Sequence, residues 1–227
     1  MRGFVAFDLD GVLYSSEPFL GEAYREAIAN VNQQRPGSFP RVPTTREILD
    51  HVGWPLALIL ERLFPHVDAA ARDLLSTETL RVICAHVERR EGMVFTDVAA
   101  TLAGLQARGL RLAVASNGRA SYLESVLRAH ALGAYFVDVI SIDRQSYREK
   151  ADLLRAYGQR EGIACAQMIM IGDRASDVEA ARAVGCRFIG CDYGHGYRHE
   201  LEGAGPIVAA FAELPAIIED LLAGRGA

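Results

Sequence analysis

Residues 3–9, GFVAFDL, form a short apolar run that breaks into acids and a glycine. A run without polar alternation suits a strand buried on both faces that opens into a polar loop. The texture then changes. PFLGEAYREAIANVNQQ places apolar residues at helical spacing and ends at Arg35-Pro36-Gly37. TTREILDHV, PLALILERLF and DAAARDLLSTETLRVICAHVERR predict three more helices, with no strand between them. Beyond Gly92 helices and strands alternate. DVAATLAGLQARG predicts a helix stopped by Gly109, and LRLAVAS (110–116) a strand. RASYLESVLRAHAL predicts a helix, AYFVDVIS a strand and REKADLLRAYGQREG a helix. AQMIMIGD (166–173) and CRFIGC predict strands on either side of the helix SDVEAARAVG, and FAELPAIIEDLL closes the chain as a helix.

Strands alternating with helices imply right-handed crossovers and a doubly wound, mostly parallel sheet, an α/β fold. The first strand belongs with the C-terminal part. The expected organisation is therefore a core of residues 1–14 and 92–227, with residues 15–91 inserted as a helical cap. In such sheets ligands sit beyond the carboxyl ends of the strands, near a topological switch point. The polar residues just past each strand should then converge.

Those residues are Asp8-Leu9-Asp10-Gly11 after the first strand, Ser116-Asn117-Gly118 after the second, Lys150 at a helix start, and Asp173 and Asp177 after the fourth. Each alone has an ordinary reading as a turn, loop or helix cap. Together, in this order, they carry a resemblance. The chain resembles the haloacid-dehalogenase-like superfamily of phosphotransferases, in the group with a helical cap after the first strand. Asp8-x-Asp10-Gly11-Val12, Ser116, Lys150 and Asp173-x-x-x-Asp177 match its four motifs. The tail GCDYGHGYRHEL and the later FAEL resemble the ending of phosphoglycolate-phosphatase-like members.

The resemblance implies a Mg²⁺-dependent phosphatase acting on a small phosphorylated metabolite, phosphoglycolate-like or a sugar phosphate. It implies that Asp8 attacks phosphorus to give an aspartyl-phosphate, and that Asp10 serves first as acid, then as base. Magnesium is expected on the carboxylates of Asp8 and Asp173 and the main-chain carbonyl of Asp10, with Asp177 binding or orienting its waters. Ser116 and the N–H of Asn117 are expected on the phosphoryl oxygens, Lys150 beside Asp8, and Gly11 where a side chain would clash. An acid at position 10 favours ester hydrolysis over dehalogenation. No lysine lies between residues 15 and 91, which excludes a cap-lysine Schiff base. A phosphomutase on the same scaffold, or a non-catalytic protein that binds phosphate ligands, are the alternatives. Many relatives carry proline after the motif-three lysine; here Ala151 follows, and ISIDRQSYREK lacks the usual glycine-rich approach to that lysine.

Composition sharpens this picture at a few points. The 227 residues carry 24 basic and 29 acidic side chains, a net charge of −5, which argues against a dominant nucleic-acid surface. Lys150 is the single lysine among those 24. Cys84, Cys165, Cys186 and Cys191 form no C-x-x-C pair and read as reduced thiols of a cytoplasmic protein. No signal peptide and no membrane span is expected, and the chain is expected as a monomer or homodimer. Trp54, the only tryptophan, lies between helices and either walls the substrate or packs the cap. Arg46 reads as a substrate contact or a solvated helix residue; His195, in a glycine-rich loop, reads as exposed or, by the resemblance, at the border of the active-site entrance; and Arg174 reads as reaching the phosphate entrance, Asp177 or solvent. Tyr14 and Ser15 fall where a hinge would be.

Overall fold

The computed structural model describes residues 3–143 and 147–224. The segment ISIDRQSYREK thus has residues 144–146 outside the described part. Six strands form one sheet: β1 (Phe4–Phe7), β4 (Arg111–Ser116), β5 (Asp138–Ser141), β6 (Met168–Gly172), β7 (Arg187–Cys191) and β8 (Ile207–Val208). Their order is β5-β4-β1-β6-β7-β8, and every pairing is parallel. Two-residue strands β2 (Tyr14–Ser15) and β3 (Met93–Val94) pair antiparallel as a separate ribbon.

The pleat explains the layers. Alternate residues point to opposite faces, so Val5, Phe7, Leu112, Val114, Ile169 and Ile171 enter one core. Helices α5 (Val98–Ala107), α6 (Ala120–Ala129) and α10 (Leu214–Leu222) cover that face. Phe4, Ala6, Ala113, Met168 and Met170 enter the other core, under α7 (Lys150–Glu161), α8 (Ala175–Val184) and the short α9 (Arg198–Leu201). With both faces covered, the strands have no polar alternation to show.

Between β2 and β3 lie only helices: α1 (Glu17–Gln34), α2 (Thr45–Leu49), α3 (Leu56–Leu63) and α4 (Ala69–Glu88). Pro18 occupies the first turn of α1, where its missing N–H costs nothing. Thr44 and Glu47 form a capping box at α2: the Glu47 N–H donates to Thr44 Oγ1 at 3.2 Å, and the Thr44 N–H to Glu47 Oε2 at 2.8 Å.

Two sequence expectations need correction. AYFVDVIS is a strand only from Asp138, which the register sets opposite Ala113, because its first residues are taken up by a turn. Residues Gly133–Tyr135 instead form a 3₁₀ turn held by Gln106, whose Nε2 donates to the carbonyls of Ala134 and Tyr135. FAELPAIIEDLL divides into a 3₁₀ turn, Phe211–Glu213, and α10. All four cysteines are free, and no described helix is long and apolar enough to cross a membrane.

Candidate active site

The chain leaves β1 toward β4 on one side, and leaves β6 toward β7 on the other. The switch point between β1 and β6 therefore brings Asp8 and Asp173 side by side. Asp8 is buried. Its Oδ1 accepts from the Leu9 N–H at 2.8 Å, and its Oδ2 lies 2.8 Å from Lys150 Nζ. Lys150 projects from the first residue of α7 and also pairs with Asp177 Oδ1. Burial alone opposes its charge, but the carboxylates of Asp177 and Asp8 outweigh that and hold the ammonium above its usual range.

Asp177 sits in the first turn of α8. Its Oδ2 accepts the N–H groups of Asp173 (3.1 Å) and Arg174 (3.0 Å), so it closes the turn after β6 while it faces the lysine. Burial raises its carboxyl to about 6 despite Lys150. Asp173 Oδ2 accepts from the N–H groups of His195 (2.7 Å) and Gly196 (3.0 Å). Asp173 Oδ1 is buried with no hydrogen-bond partner among the described residues. Burial, with Asp177 and Asp8 nearby, pushes Asp173 well above the usual carboxylate range.

Gly11 backs onto this carboxylate. Its φ is +76°, and a Cβ there would lie 2.1 Å from Asp173 Oδ2, so both backbone shape and space demand glycine.

Asp8, Asp173 and Asp177 each offer an oxygen within 4.8 Å of the others. Three buried carboxylates against one ammonium leave an uncompensated negative charge, and one buried oxygen still lacks a partner. A hard, oxygen-seeking divalent cation such as Mg²⁺ fits that donor set.

Asp10 lines the cavity together with Asp8. Its Oδ1 accepts from the Tyr122 hydroxyl at 2.6 Å and, more weakly, from Ser16 Oγ at 3.5 Å. Burial lifts its carboxyl to about 7, the Tyr122 bond opposing the rise and Asp8 adding to it. Ser116, at the end of β4, is buried, and its Oγ accepts from the Gly118 N–H at 3.1 Å. Asn117 turns its side chain outward from the acids: Nδ2 donates to the Gly53 carbonyl, 2.8 Å away on the loop between α2 and α3.

A cavity of about 90 Å³ opens above these groups, with Asp8, Asp10, Ser116, Asn117 and Tyr122 at its floor. Its opposite wall comes from α1 to α4 and from the Val52–Trp54 turn. Trp54 is one lining residue, its ring covered by the Arg62 guanidinium at 5.2 Å. Arg46 is no part of this wall; it pairs with Asp50 at 2.9 Å and lies over the Tyr197 ring.

The structure thus brings Asp8, Asp10, Gly11, Ser116, Asn117, Lys150, Asp173 and Asp177 into one region. The sequence hides one participant, Tyr122, and leaves two others, His195 and Arg174, undecided. Tyr122 stands in the first turn of α6, directly after a polar strand end, which was its available signal. His195, read as exposed or at the border of the entrance, is buried, with Nε2 2.8 Å from Ser15 Oγ and its imidazole lowered to about 4 by burial and by Arg174. Arg174 is buried and donates to the carbonyls of Asp50 (2.7 Å) and His195 (3.3 Å).

Comparison with known proteins points to one family. The family model for haloacid dehalogenase-like hydrolases matches residues 4–185. A phosphoglycolate phosphatase of Escherichia coli is 30% identical over 232 aligned positions, covering 92% of this chain and 88% of that one. A phosphoglycolate phosphatase of Photobacterium profundum is 26% identical and covers 95% of each. Among solved structures, one from Haemophilus somnus described as a predicted phosphoglycolate phosphatase superposes with a TM-score of 0.83 at 20% identity, covering 96% of this chain and 98% of that one.

Proposed function

This chain belongs to the haloacid dehalogenase-like hydrolases, and from that premise we propose that it is a Mg²⁺-dependent phosphatase hydrolysing a small phosphomonoester through an aspartyl-phosphate on Asp8. One observation carries the reading: the buried Asp8 carboxylate is held by Lys150 at 2.8 Å, while Asp10, two residues on, shares its cavity.

The residues divide the work. A carboxylate nucleophile and a dianionic phosphate repel each other, and Lys150 offsets that repulsion from the side of Asp8. An Asp8 oxygen forms a bond to phosphorus as the ester P–O bond breaks. Asp10 gives its proton to the departing alkoxide, which leaves as the alcohol. Water then attacks the phosphorus of the acyl phosphate, Asp10 takes back a proton, and phosphate leaves with the Asp8 carboxylate restored. A carboxyl held near neutrality by burial serves both directions. The Ser116 hydroxyl and the Asn117 N–H are assigned to the phosphoryl oxygens. Asp8, Asp173 and the main-chain carbonyl of Asp10 would hold Mg²⁺, with Asp177 supporting its waters; the ion supplies charge neutralisation for the transferring group. Helices α1 to α4, residues 15–91, act as the cap that covers the reaction, over a core of residues 1–14 and 92–227.

The test is turnover of p-nitrophenyl phosphate by the purified protein with Mg²⁺ and with EDTA. Metal-dependent turnover that disappears in Asp8→Asn is expected. Absence of that turnover, or an Asp8→Asn variant as active as the parent chain, overturns the reading.

A further inference from the structure

The cavity above Asp8 and Asp10 is charged only at its floor and rim, at Asp8, Asp10 and Arg119. Facing the phosphate position stand Leu20, Ile48, Leu56, Ile59, Leu80 and Ile83, contributed by all four helices α1 to α4. The helical half adds three polar side chains to the lining: the hydroxyls of Ser16, already directed at Asp10, and of Tyr24, and the indole of Trp54. None of the lining residues contributed by that half is a lysine, arginine or histidine.

The nearby cations are all engaged. Arg119, the one charged lining residue besides Asp8 and Asp10, lies 3.6 Å from Asp143. Arg62 is spent on the Trp54 ring, and Arg46 on Asp50 and Tyr197. Arg174 is spent on main-chain carbonyls. Lys150 is shared by two carboxylates.

Charge and size then select the substrate. A second anionic group on the leaving alcohol would enter an aliphatic wall to which the helical half contributes no lysine, arginine or histidine, and burying a carboxylate that way is costly. A polyhydroxylated leaving group would find only the Ser16 and Tyr24 hydroxyls and the Trp54 indole on the helical half, too few for several hydroxyls, and each unpaired buried hydroxyl is penalised. An apolar group loses nothing and buries its surface. We propose that the alcohol half of the substrate is compact, uncharged and apolar, so that the natural ester is the monophosphate of an aromatic or branched aliphatic alcohol. The proposal rests on the phosphatase reading above and narrows it. It also departs from the carboxylate-bearing substrate in the names of the similar phosphoglycolate phosphatases.

Benzyl phosphate and 2-phosphoglycolate separate the cases, because each releases a primary alcohol and the comparison does not turn on an activated leaving group. The wild-type chain with Mg²⁺ is expected to show kcat/KM on the order of 100-fold higher for benzyl phosphate, the range that apolar pocket contacts provide. Leu56, half-buried on the α3 wall, gives the second arm. Leu56→Arg places a guanidinium in the wall and is expected to lower the benzyl-to-phosphoglycolate ratio by about tenfold or more. A wild-type chain that prefers 2-phosphoglycolate overturns the proposal, as does an unchanged ratio in a folded Leu56→Arg. If that variant does not fold, the wild-type ratio decides. If neither ester nor p-nitrophenyl phosphate is hydrolysed, the phosphatase reading itself falls; a reversed preference with normal turnover overturns only the substrate class.

Discussion

The Tyr122 hydroxyl donates to Asp10 Oδ1 at 2.6 Å, joining the first turn of α6 to the loop after β1. Tyr122 is buried and Asp10 half-buried, and burial pushes the phenol well above its ordinary range, so it remains a donor. One carboxylate oxygen of Asp10 is thereby fixed in place, and the other is left for the reacting oxygen. The bond orients Asp10 and touches no phosphate group. Tyr122→Phe should therefore reduce kcat by roughly 10- to 100-fold, the worth of a hydrogen bond to an ionisable partner. KM should stay within about twofold. Steady-state kinetics on p-nitrophenyl phosphate checks the split; an equal fall in kcat/KM caused by a higher KM would place the hydroxyl in substrate binding instead.

Lys150 occupies a slot that fits an ammonium and little more. Its Nζ reaches Asp8 and Asp177 from a side chain that is 2% exposed. A guanidinium is planar and larger, and it presents its donors in a fixed fork rather than as a compact point. Lys150→Arg conserves charge yet should cost about 100-fold or more in kcat. Lys150→Met should also destabilise the fold, by roughly 3–5 kcal/mol, because two buried carboxylates lose their cation. Urea unfolding and turnover measured on both variants check this. Near-normal turnover in Lys150→Arg would mean that the chain's only lysine holds no special place.

Much of this arrangement was legible before the structure. The sheet announced itself because strands covered on both faces carry uninterrupted apolar runs, as in Phe4–Phe7 and Met168–Gly172. Asp8 and Asp173 were legible because each directly follows such a run. The β2–β3 ribbon and β8 were not, since two-residue strands have no period to read. His195 was left undecided for a physical reason. Glycine-flanked loops normally lie in solvent, whereas here Gly194 and Gly196 let the main chain approach Asp173 closely enough to donate two N–H groups. Arg174, after an acid, left the phosphate entrance, Asp177 and solvent all open; carbonyl acceptors contributed by residues far along the chain bury it instead. Partners of that kind leave no local pattern.

The contacts between the two halves of the chain are themselves testable. Asn117 Nδ2 holds the Gly53 carbonyl at 2.8 Å, and Arg174 holds the Asp50 carbonyl at 2.7 Å. Asn117→Ala removes the first bond but keeps the N–H assigned to the phosphate. It should lower kcat/KM by about 3- to 10-fold, the value of one neutral hydrogen bond. Amide exchange at residues 51–55 should quicken at the same time. Gly53→Ala tests the same turn through its backbone. Gly53 has φ +103°, and a Cβ there would stand 3.1 Å from Arg174 Cγ. That substitution should cost about 1–3 kcal/mol and exceed Asn117→Ala in its effect on exchange. Unchanged exchange in both variants would separate this turn from closure over the site.

The acid cluster makes metal binding a stability measurement as well as a kinetic one. Asp8, Asp173 and Asp177 are buried within 4.8 Å of one another, with Lys150 as their shared cation. Without a divalent ion the remaining negative charge is a cost of folding, so an ion that binds only the folded chain should raise its stability. At a hundred times its Kd the gain is about 2.7 kcal/mol. For a chain of this length that is a rise in Tm on the order of 5–10 °C, which EDTA should reverse. Asp173→Asn removes one anionic donor and part of the repulsion together. Its Tm without metal should match or exceed that of the parent chain, while its Mg²⁺-induced rise should largely vanish along with turnover. A thermal melt with and without Mg²⁺ on both proteins decides the matter. The same Mg²⁺-induced rise in the two would show that the ion binds somewhere other than this cluster.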